Sequence, residues 1–224
     1  MQLTNTVPVN ASPELRAMNA QTGRAALELA DARPDVVVTA CLVAIMAQGP
    51  GYHCTAEDEI TAVLRAEGSR AAVVSSAGAL LDGIRALGAA RVAIVTPYLK
   101  PLTQLVADCI EDAGIEVVDA LSLEVPDNLA VARLDPADPR EHRRRLDLSR
   151  ADALVLSACV QMPSLPSIQA AQEAAGLPML SAATATAYRA LVELGLPAVV
   201  PGAGSLLSGR AGAGGQEGAG PGQP

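Results

Sequence analysis

The stretches DVVVTAC (residues 35–41) and DALVLSAC (residues 152–159) decide the fold of this 224-residue chain. Each begins with Asp, continues through aliphatic and β-branched residues, and ends on Cys. Such runs are typical of strands that are buried on both faces of a parallel sheet. Because one copy lies in each half of the chain, the pair indicates an internal repeat and two similar α/β units.

The residues that follow the two stretches are also alike. After the first, SSA at residues 75–77 opens a predicted helix, and a strand is predicted at 91–96. After the second, SAA at residues 181–183 opens a predicted helix, and a strand is predicted at 197–200. The remaining predicted helices cover 12–32, 56–67, 101–113, 137–146 and 165–175, and the remaining strands cover 71–74, 115–118 and 178–181.

This alternation of strands and helices predicts an α/β fold made of two pseudo-symmetric Rossmann-like (flavodoxin-like) halves with parallel sheets. We expect residues 1–90 and 182–208 to form the first half, and residues 91–181 the second. The active site is expected in the cleft between the halves, beyond the carboxyl ends of the strands. The Gly- and Pro-rich tail, residues 209–224, is expected to be disordered.

Composition excludes several classes of function. The net charge is −8, and the one basic run, Arg143–Arg145, lies among acidic residues, so no nucleic-acid partner is expected. The sequence has no apolar run of transmembrane length and no signal-peptide pattern, which predicts a cytoplasmic protein without a membrane partner. No metal-ligand spacing, GxGxxG motif or P-loop occurs, so neither a metal nor an organic cofactor is expected.

The four cysteines differ in their settings. Cys41 and Cys159, 118 residues apart, both end a predicted buried strand and so lie at the edge where ligands bind. A strand-end cysteine is most often a packing residue, but packing alone gives no reason for a thiol at the same place in both halves. Cys109 lies on the apolar face of a helix and is expected in the core, and Cys54 in a loop or at a helix start.

Several motifs resemble those of bacterial maleate isomerases, close kin of arylmalonate decarboxylase within the Asp/Glu racemase superfamily. The resemblance covers residues 12–207, and its most specific part is CVQMPSLP at 159–166. The other motifs are ACLVAIM (40–46), GPG (49–51), SSAGA (75–79), VTPY (95–98), DN (127–128), LSAAT (180–184) and VPGAG (200–204).

The resemblance implies cofactor-independent conversion of maleate to fumarate through a covalent succinyl-cysteine. It implies that Cys41 is the nucleophile and Cys159 the proton donor. The residues implied in substrate binding are Leu42, Val43 and Val160 through their backbone N–H groups, and Tyr98 and Asn128 through their side chains. From the residues alone, Tyr98 could equally be a turn residue and Asn128 part of an Asx turn. The resemblance further implies a dicarboxylate as the partner, a homodimer, and a place in nicotinate degradation.

Two alternatives remain open at this point. One is another enzyme of the superfamily, either a two-cysteine amino-acid racemase or an arylmalonate-type decarboxylase. The other is a non-catalytic dicarboxylate-binding protein. The family begins with a strand and a Pro-Ser-Ser-Asn-type loop, whereas residues 1–7 here resemble the second strand of the fold. We therefore expect that one βα unit of the family precedes this sequence.

Overall fold

The computed structural model describes residue 17 and residues 19–211. The predicted helix residues 12–16 and 18, and most of the predicted tail, residues 212–224, lie outside the described residues. Six parallel strands form two sheets, one with the order β1-β2 and one with the order β4-β3-β5-β6. The strands are β1 (Val36–Thr39), β2 (Ala72–Ser75), β3 (Arg91–Thr96), β4 (Glu116–Ser122), β5 (Ala153–Ser157) and β6 (Met179–Ser181).

Helices connect these strands, and the predicted α/β fold with parallel sheets is confirmed. The α-helices are α1 (Thr22–Ala30), α2 (Leu42–Met46), α3 (Tyr52–Ala66), α4 (Ser76–Ala86), α5 (Lys100–Asp112), α6 (Asn128–Val131), α7 (Pro139–His142), α8 (Leu165–Ala175) and α9 (Ala182–Glu193). Two 3₁₀ turns cover Arg143–Arg145 and Ser205–Leu207.

The strand predicted at residues 197–200 is wrong. Val199 makes only an isolated antiparallel bridge with Ser208. Pro197 and Pro201 flank the segment, and proline has no N–H to donate to a sheet, so a continuous ladder cannot form there. The segment is therefore not a strand, and it leads through a turn into the 3₁₀ turn at Ser205–Leu207.

Two helix predictions differ from the structure, and two short helices were not predicted. The helix predicted at 12–32 is interrupted at Gln21, before the weak helix formers Thr22 and Gly23. The charged helix predicted at 137–146 is only α7 followed by a 3₁₀ turn. The short helices α2 and α6 were not predicted, because four or five residues are too few for a helical period to be visible in the sequence.

The core is centred on β3 and β5. All five residues of β5 are buried, as are five of the six residues of β3, which is why both read as unbroken apolar runs. Helix α9 packs along α4 and also contacts β1 and β2. Gly83 on α4 allows this approach, because an added Cβ would lie 3.0 Å from the Cβ of Ala185.

Each of the six described strands ends in Ser or Thr at its carboxyl end. These residues are Thr39, Ser75, Thr96, Ser122, Ser157 and Ser181. Two of them are N-caps: Ser75 accepts a hydrogen bond from Gly78 N–H, and Ser181 accepts one from Thr184 N–H. The strand ends are therefore a row of hydroxyl groups at the edge where the ligand site is expected.

Candidate active site

Cys41 lies two residues beyond the end of β1 and is the N-cap residue of α2. The backbone turns into the helix at this residue, with φ −89° and ψ 84°. All five residues of α2 are buried, so the helix is fixed against the core and the thiol is partly exposed at its start. The first N–H groups of a helix have no acceptor within the helix, so the N–H groups of Leu42 and Val43 lie beside Cys41 without an intrahelical partner.

Cys159 and Tyr98 lie side by side beyond the second sheet. Strands β3 and β5 pair in parallel from Val92 with Ala153 to Ile94 with Val155. Continuing that register places Tyr98 opposite Cys159. Both residues are buried, with 5% of Tyr98 and 8% of Cys159 exposed, and Cys159 is close enough to the phenol to raise its pKa.

Cys159 is close enough to Cys41 to affect the pKa of the Cys41 thiol. Burial raises the pKa of the Cys41 thiol, the Ala44 N–H of α2 acts in the opposite direction, and negative charge on Cys159 raises it further. The pKa of Tyr98 lies well above its ordinary value, first because of burial and then because of charge on Cys159 and Cys41. The carboxyl edges of the two sheets therefore meet around three groups: two thiols and a phenol.

Two serine hydroxyl groups, a buried one on Ser157 and a partly buried one on Ser122, hold the backbone of this cluster. Ser157 Oγ donates to the carbonyl oxygen of Cys159 at 2.8 Å and accepts from the Cys159 N–H at 3.3 Å. Ser122 Oγ donates to the carbonyl oxygen of Tyr98. Neither serine was predicted from the sequence. For Ser157 the visible signal was the hydroxyl residue two positions before each site cysteine, in TAC at 39–41 and SAC at 157–159; no such pattern marks Ser122.

Asn128 lies at the first position of α6, where Asp127 Oδ1 accepts the Leu129 N–H at 2.9 Å. The Asx-type capping therefore belongs to Asp127 rather than to Asn128. Gln161 Nε2 donates to the Asn128 carbonyl at 2.8 Å, which ties α6 to the segment that carries Cys159 and Val160. The structure thus brings Asn128 near the second cysteine through its backbone.

The other two cysteines lie elsewhere. Cys54 is exposed in the first turn of α3. Cys109 is buried on α5, as predicted, where its Sγ donates to the Met46 carbonyl at 3.5 Å. Burial and the nearby Asp108 and Asp112 raise the pKa of Cys109 to about 11, so this thiol stays protonated.

Within residues 17 and 19–211, no cluster of three or more His, Cys, Asp or Glu side chains could hold a metal ion. In the same part of the chain, no helix has both the length and the apolar character needed to cross a membrane.

Comparison with protein families shows the class of protein to which this chain belongs. The family model described as arylmalonate decarboxylase matches residues 22–207, which include both sheets and both site cysteines. Solved arylmalonate decarboxylases share this fold at 20–22% identity, with TM-scores of 0.73 to 0.79. The two-thiol site at the strand edges is thus carried by a chain of the arylmalonate decarboxylase class.

Relatives with higher sequence identity identify the family within this class. A maleate isomerase of Geobacillus stearothermophilus is 56% identical over 197 residues, which is 88% of this chain and 78% of the relative. One of Alcaligenes faecalis is 53% identical over 196 residues, with the same shares of the two chains. The chain belongs to the maleate isomerase family, and the resemblance inferred from the motifs is confirmed.

Solved maleate isomerases superpose over most of the chain. A cysteine-to-alanine variant from Pseudomonas putida S16 in complex with maleate has a TM-score of 0.88 at 47% identity, covering 94% of this chain and 81% of that one. A cysteine-to-serine variant from Nocardia farcinica, with a covalently bound succinylcysteine intermediate, has a TM-score of 0.85 at 52% identity, covering 88% and 81%.

Proposed function

We propose that this chain catalyses the cis–trans isomerisation of maleate to fumarate through a covalent succinyl-cysteine intermediate. The observation that carries the proposal is the cluster formed by Cys41, Cys159 and Tyr98, which brings one thiol from each half close to the other and to a buried phenol. The related structures with maleate and with a succinylcysteine support the same substrate and the same covalent chemistry.

The proposed reaction begins with attack by the Cys41 thiolate on one alkene carbon of maleate. The C–S bond forms as the alkene π pair moves toward the carboxylate on the other carbon, giving an enediolate-like state. Cys159 then gives its proton to that other carbon, which leaves a succinyl thioether on Cys41 and a thiolate on Cys159. Covalent addition replaces a double bond that cannot rotate with a single bond that can.

The reaction is completed by the reverse steps after rotation about the new single bond. The Cys159 thiolate removes a proton from the carbon that it protonated. The released electron pair re-forms the double bond while the C–S bond breaks, and Cys41 leaves as a thiolate. Both cysteines return to their starting protonation states, so no oxidant, reductant or cofactor is consumed.

Carboxylate binding is assigned in this proposal to two kinds of group. The backbone N–H groups of Leu42, Val43 and Val160 are donors for carboxylate oxygens. The side chains of Tyr98 and Asn128 are the other donors. Each donor that faces developing charge stabilises it by about 3–4 kcal/mol in comparable oxyanion sites.

The two thiols suit different roles because their surroundings differ. Burial raises the pKa of the Cys41 thiol, and the Ala44 N–H offsets part of this rise by favouring the thiolate that a nucleophile requires. Negative charge on Cys159 raises the pKa of the Cys41 thiol, so the site disfavours two thiolates at once. The pair therefore favours one nucleophile and one acid over two identical groups.

The racemase and decarboxylase alternatives are less well supported. Identities to maleate isomerases are 50–56%, against 20–22% to the solved arylmalonate decarboxylases. A decarboxylase of this class uses the second-half thiol alone, whereas Cys41 is present here. Relatives this similar that are enzymes also disfavour a role limited to dicarboxylate binding.

We also propose that residues 1–90 with 182–208 form one half of the molecule and residues 91–181 the other. The contacts of α9 with α4, β1 and β2 support placing α9 in the first half. We further propose that the protein is a cytoplasmic homodimer with a small dicarboxylate as its partner, and that it acts in nicotinate degradation.

The test is incubation of the purified chain with maleate, followed by proton NMR for fumarate. We expect fumarate to form at the same rate before and after exhaustive dialysis against EDTA. Maleate that remains unchanged with an intact folded protein would overturn the isomerase proposal. Activity lost on dialysis and restored by a metal would overturn the cofactor-independent mechanism.

A further inference from the structure

The two site cysteines share a local sequence but not a local structure. Thr39 precedes Cys41 by two residues, and Ser157 precedes Cys159 by two residues. Ser157 Oγ bonds both the carbonyl and the N–H of its cysteine, at 2.8 Å and 3.3 Å. In the described residues, the Thr39 side chain makes no such bond with Cys41.

The Ser157 hydroxyl is enclosed in the core. Its side chain has no exposed surface, and it lies at the end of β5, where it pairs in register with Ser181 of β6. A buried hydroxyl keeps its partners, because an unpaired buried carbonyl or N–H is costly. These hydrogen bonds therefore hold the backbone of Cys159 against the end of β5 and restrict its orientation.

Fixing the Cys159 carbonyl also fixes the next N–H. The described chain has no cis peptide bond, and in a planar trans peptide the C=O and the following N–H point in opposite directions. With the Cys159 carbonyl directed at the buried Ser157 hydroxyl, the Val160 N–H is directed away from it. A five-residue segment separates Cys159 from α8, so no helix performs this task.

We propose that Ser157 is a positioning residue: its hydroxyl orients the Cys159–Val160 peptide so that the Val160 N–H faces a carboxylate bound beside the Cys159 thiol. The inference rests on the proposed function for the identity of that carboxylate as part of maleate. Cys41 needs no such hydroxyl, because α2 begins at Leu42 and helix geometry itself orients the Leu42 and Val43 N–H groups.

The first experiment does not require turnover. The chain and its Ser157→Ala variant are treated with iodoacetate and, separately, with iodoacetamide, and alkylation of each cysteine is followed by peptide mass spectrometry. Both reagents alkylate a thiolate with loss of iodide, but only iodoacetate carries a carboxylate. We expect Ser157→Ala to lower the iodoacetate-to-iodoacetamide rate ratio at Cys159 by about tenfold or more, as loss of an oriented anion donor predicts.

Cys41 in the same sample is the internal reference, and its rate ratio should stay unchanged. Ser157→Thr keeps the hydroxyl and should restore the ratio at Cys159. Thr39→Val is the matched control, because it removes the hydroxyl at the same position relative to the other cysteine. An equal fall in both reagent rates in Ser157→Ala, or an unchanged ratio, overturns the positioning role.

The second experiment measures turnover of maleate. Ser157→Ala should lower kcat/KM by about 10- to 100-fold, the scale for a displaced catalytic geometry, with both a higher KM and a lower kcat. Ser157→Thr should recover most of this loss, and Thr39→Val should stay within about threefold of the parent. A wild-type chain that shows the alkylation pattern but no turnover would refute the proposed function and leave the positioning role intact.

Discussion

The Cys41 and Cys159 regions begin alike and end differently. Each cysteine ends a hydroxyl-Ala-Cys sequence after a parallel strand, but the expected burial on both faces holds only for β5: in β1 only Val37 is buried and Val38 is exposed. Cys41 then enters α2 at once, and the Ala44 N–H acts on its thiol. Cys159 enters a turn held by Ser157, and its thiol contacts the Tyr98 phenol. A repeated fold can thus supply two thiols in unlike settings, which is what a nucleophile paired with an acid requires.

The largest expected effect separates the two thiols. Cys41→Ala should abolish turnover, by at least about 10⁴-fold, and should give no adduct with maleate. Cys159→Ala should abolish turnover to a similar extent, yet still allow slow adduct formation on Cys41. Intact-protein and peptide mass spectrometry distinguish the two outcomes. An adduct carried mainly by Cys54 or Cys109 would reverse the assignment of the nucleophile.

Tyr98→Phe tests whether the Tyr98 hydroxyl contributes to the function of the Cys159 region. The variant removes the hydroxyl that interacts with Cys159 and leaves the buried ring in place. We expect kcat/KM to fall by about 10²–10³-fold, as for loss of one well-placed donor. Tyr188→Phe on α9 is the control and should have little effect. Equal activities of the two variants would mean that the phenol contributes no donor to the reaction.

The pH dependence of kcat/KM reports on the first region. Cys41 must be a thiolate to attack, and burial raises the pKa of its thiol above the ordinary value. The rate should therefore rise about tenfold per pH unit from roughly pH 6 to roughly pH 8, because the thiolate fraction grows in proportion. Measurement in the free enzyme at low maleate tests this. A flat profile over that range would show that Cys41 is already ionised.

Gly83→Val addresses the packing that joins the two regions through α4 and α9. The added side chain would press on Ala185, Leu180 and Leu206, whose atoms lie 3.0 to 3.2 Å from the position of its Cβ. We expect the free energy of unfolding to fall by about 1–3 kcal/mol. Gly23→Val on α1 meets no atom within 4 Å and should change stability by no more than about 0.5 kcal/mol. Urea unfolding of both variants makes the comparison.

Cys109→Ala should have the smallest effect, since its thiol is a core group outside both regions. Activity should stay within about twofold of the parent. The pKa of Cys109 is about 11 in the folded chain and 9.0 in the unfolded chain, so the unfolded thiol loses its proton at lower pH. Its contribution to stability is thus full below pH 9.0 and is lost as the pH rises toward 11. Unfolding curves in this range should depend less on pH in the variant.

Most of the fold could be predicted from the sequence, because hydrophobic periodicity and the residues that end helices and strands are local properties. The aliphatic runs of β1, β3 and β5, and glycines such as Gly88 and Gly114 after helices, mark the elements without knowledge of their partners. The segment 197–200 is apolar too, but it lies between two prolines and makes only an isolated bridge instead of a strand. Helices α2 and α6 are too short to show a period, and only their packing and capping define them.

The sequence by itself determined the repeat, the two cysteines and the family, because these features depend only on the identity and order of the residues. Only the tertiary structure decided how the halves meet: that Tyr98 contacts Cys159, that charge on Cys159 acts on Cys41, and that Ser157 and Ser122 hold the site backbone. These relations join residues far apart in the chain or depend on where a carbonyl points. Such features are set by sheet register and burial, which no local pattern records.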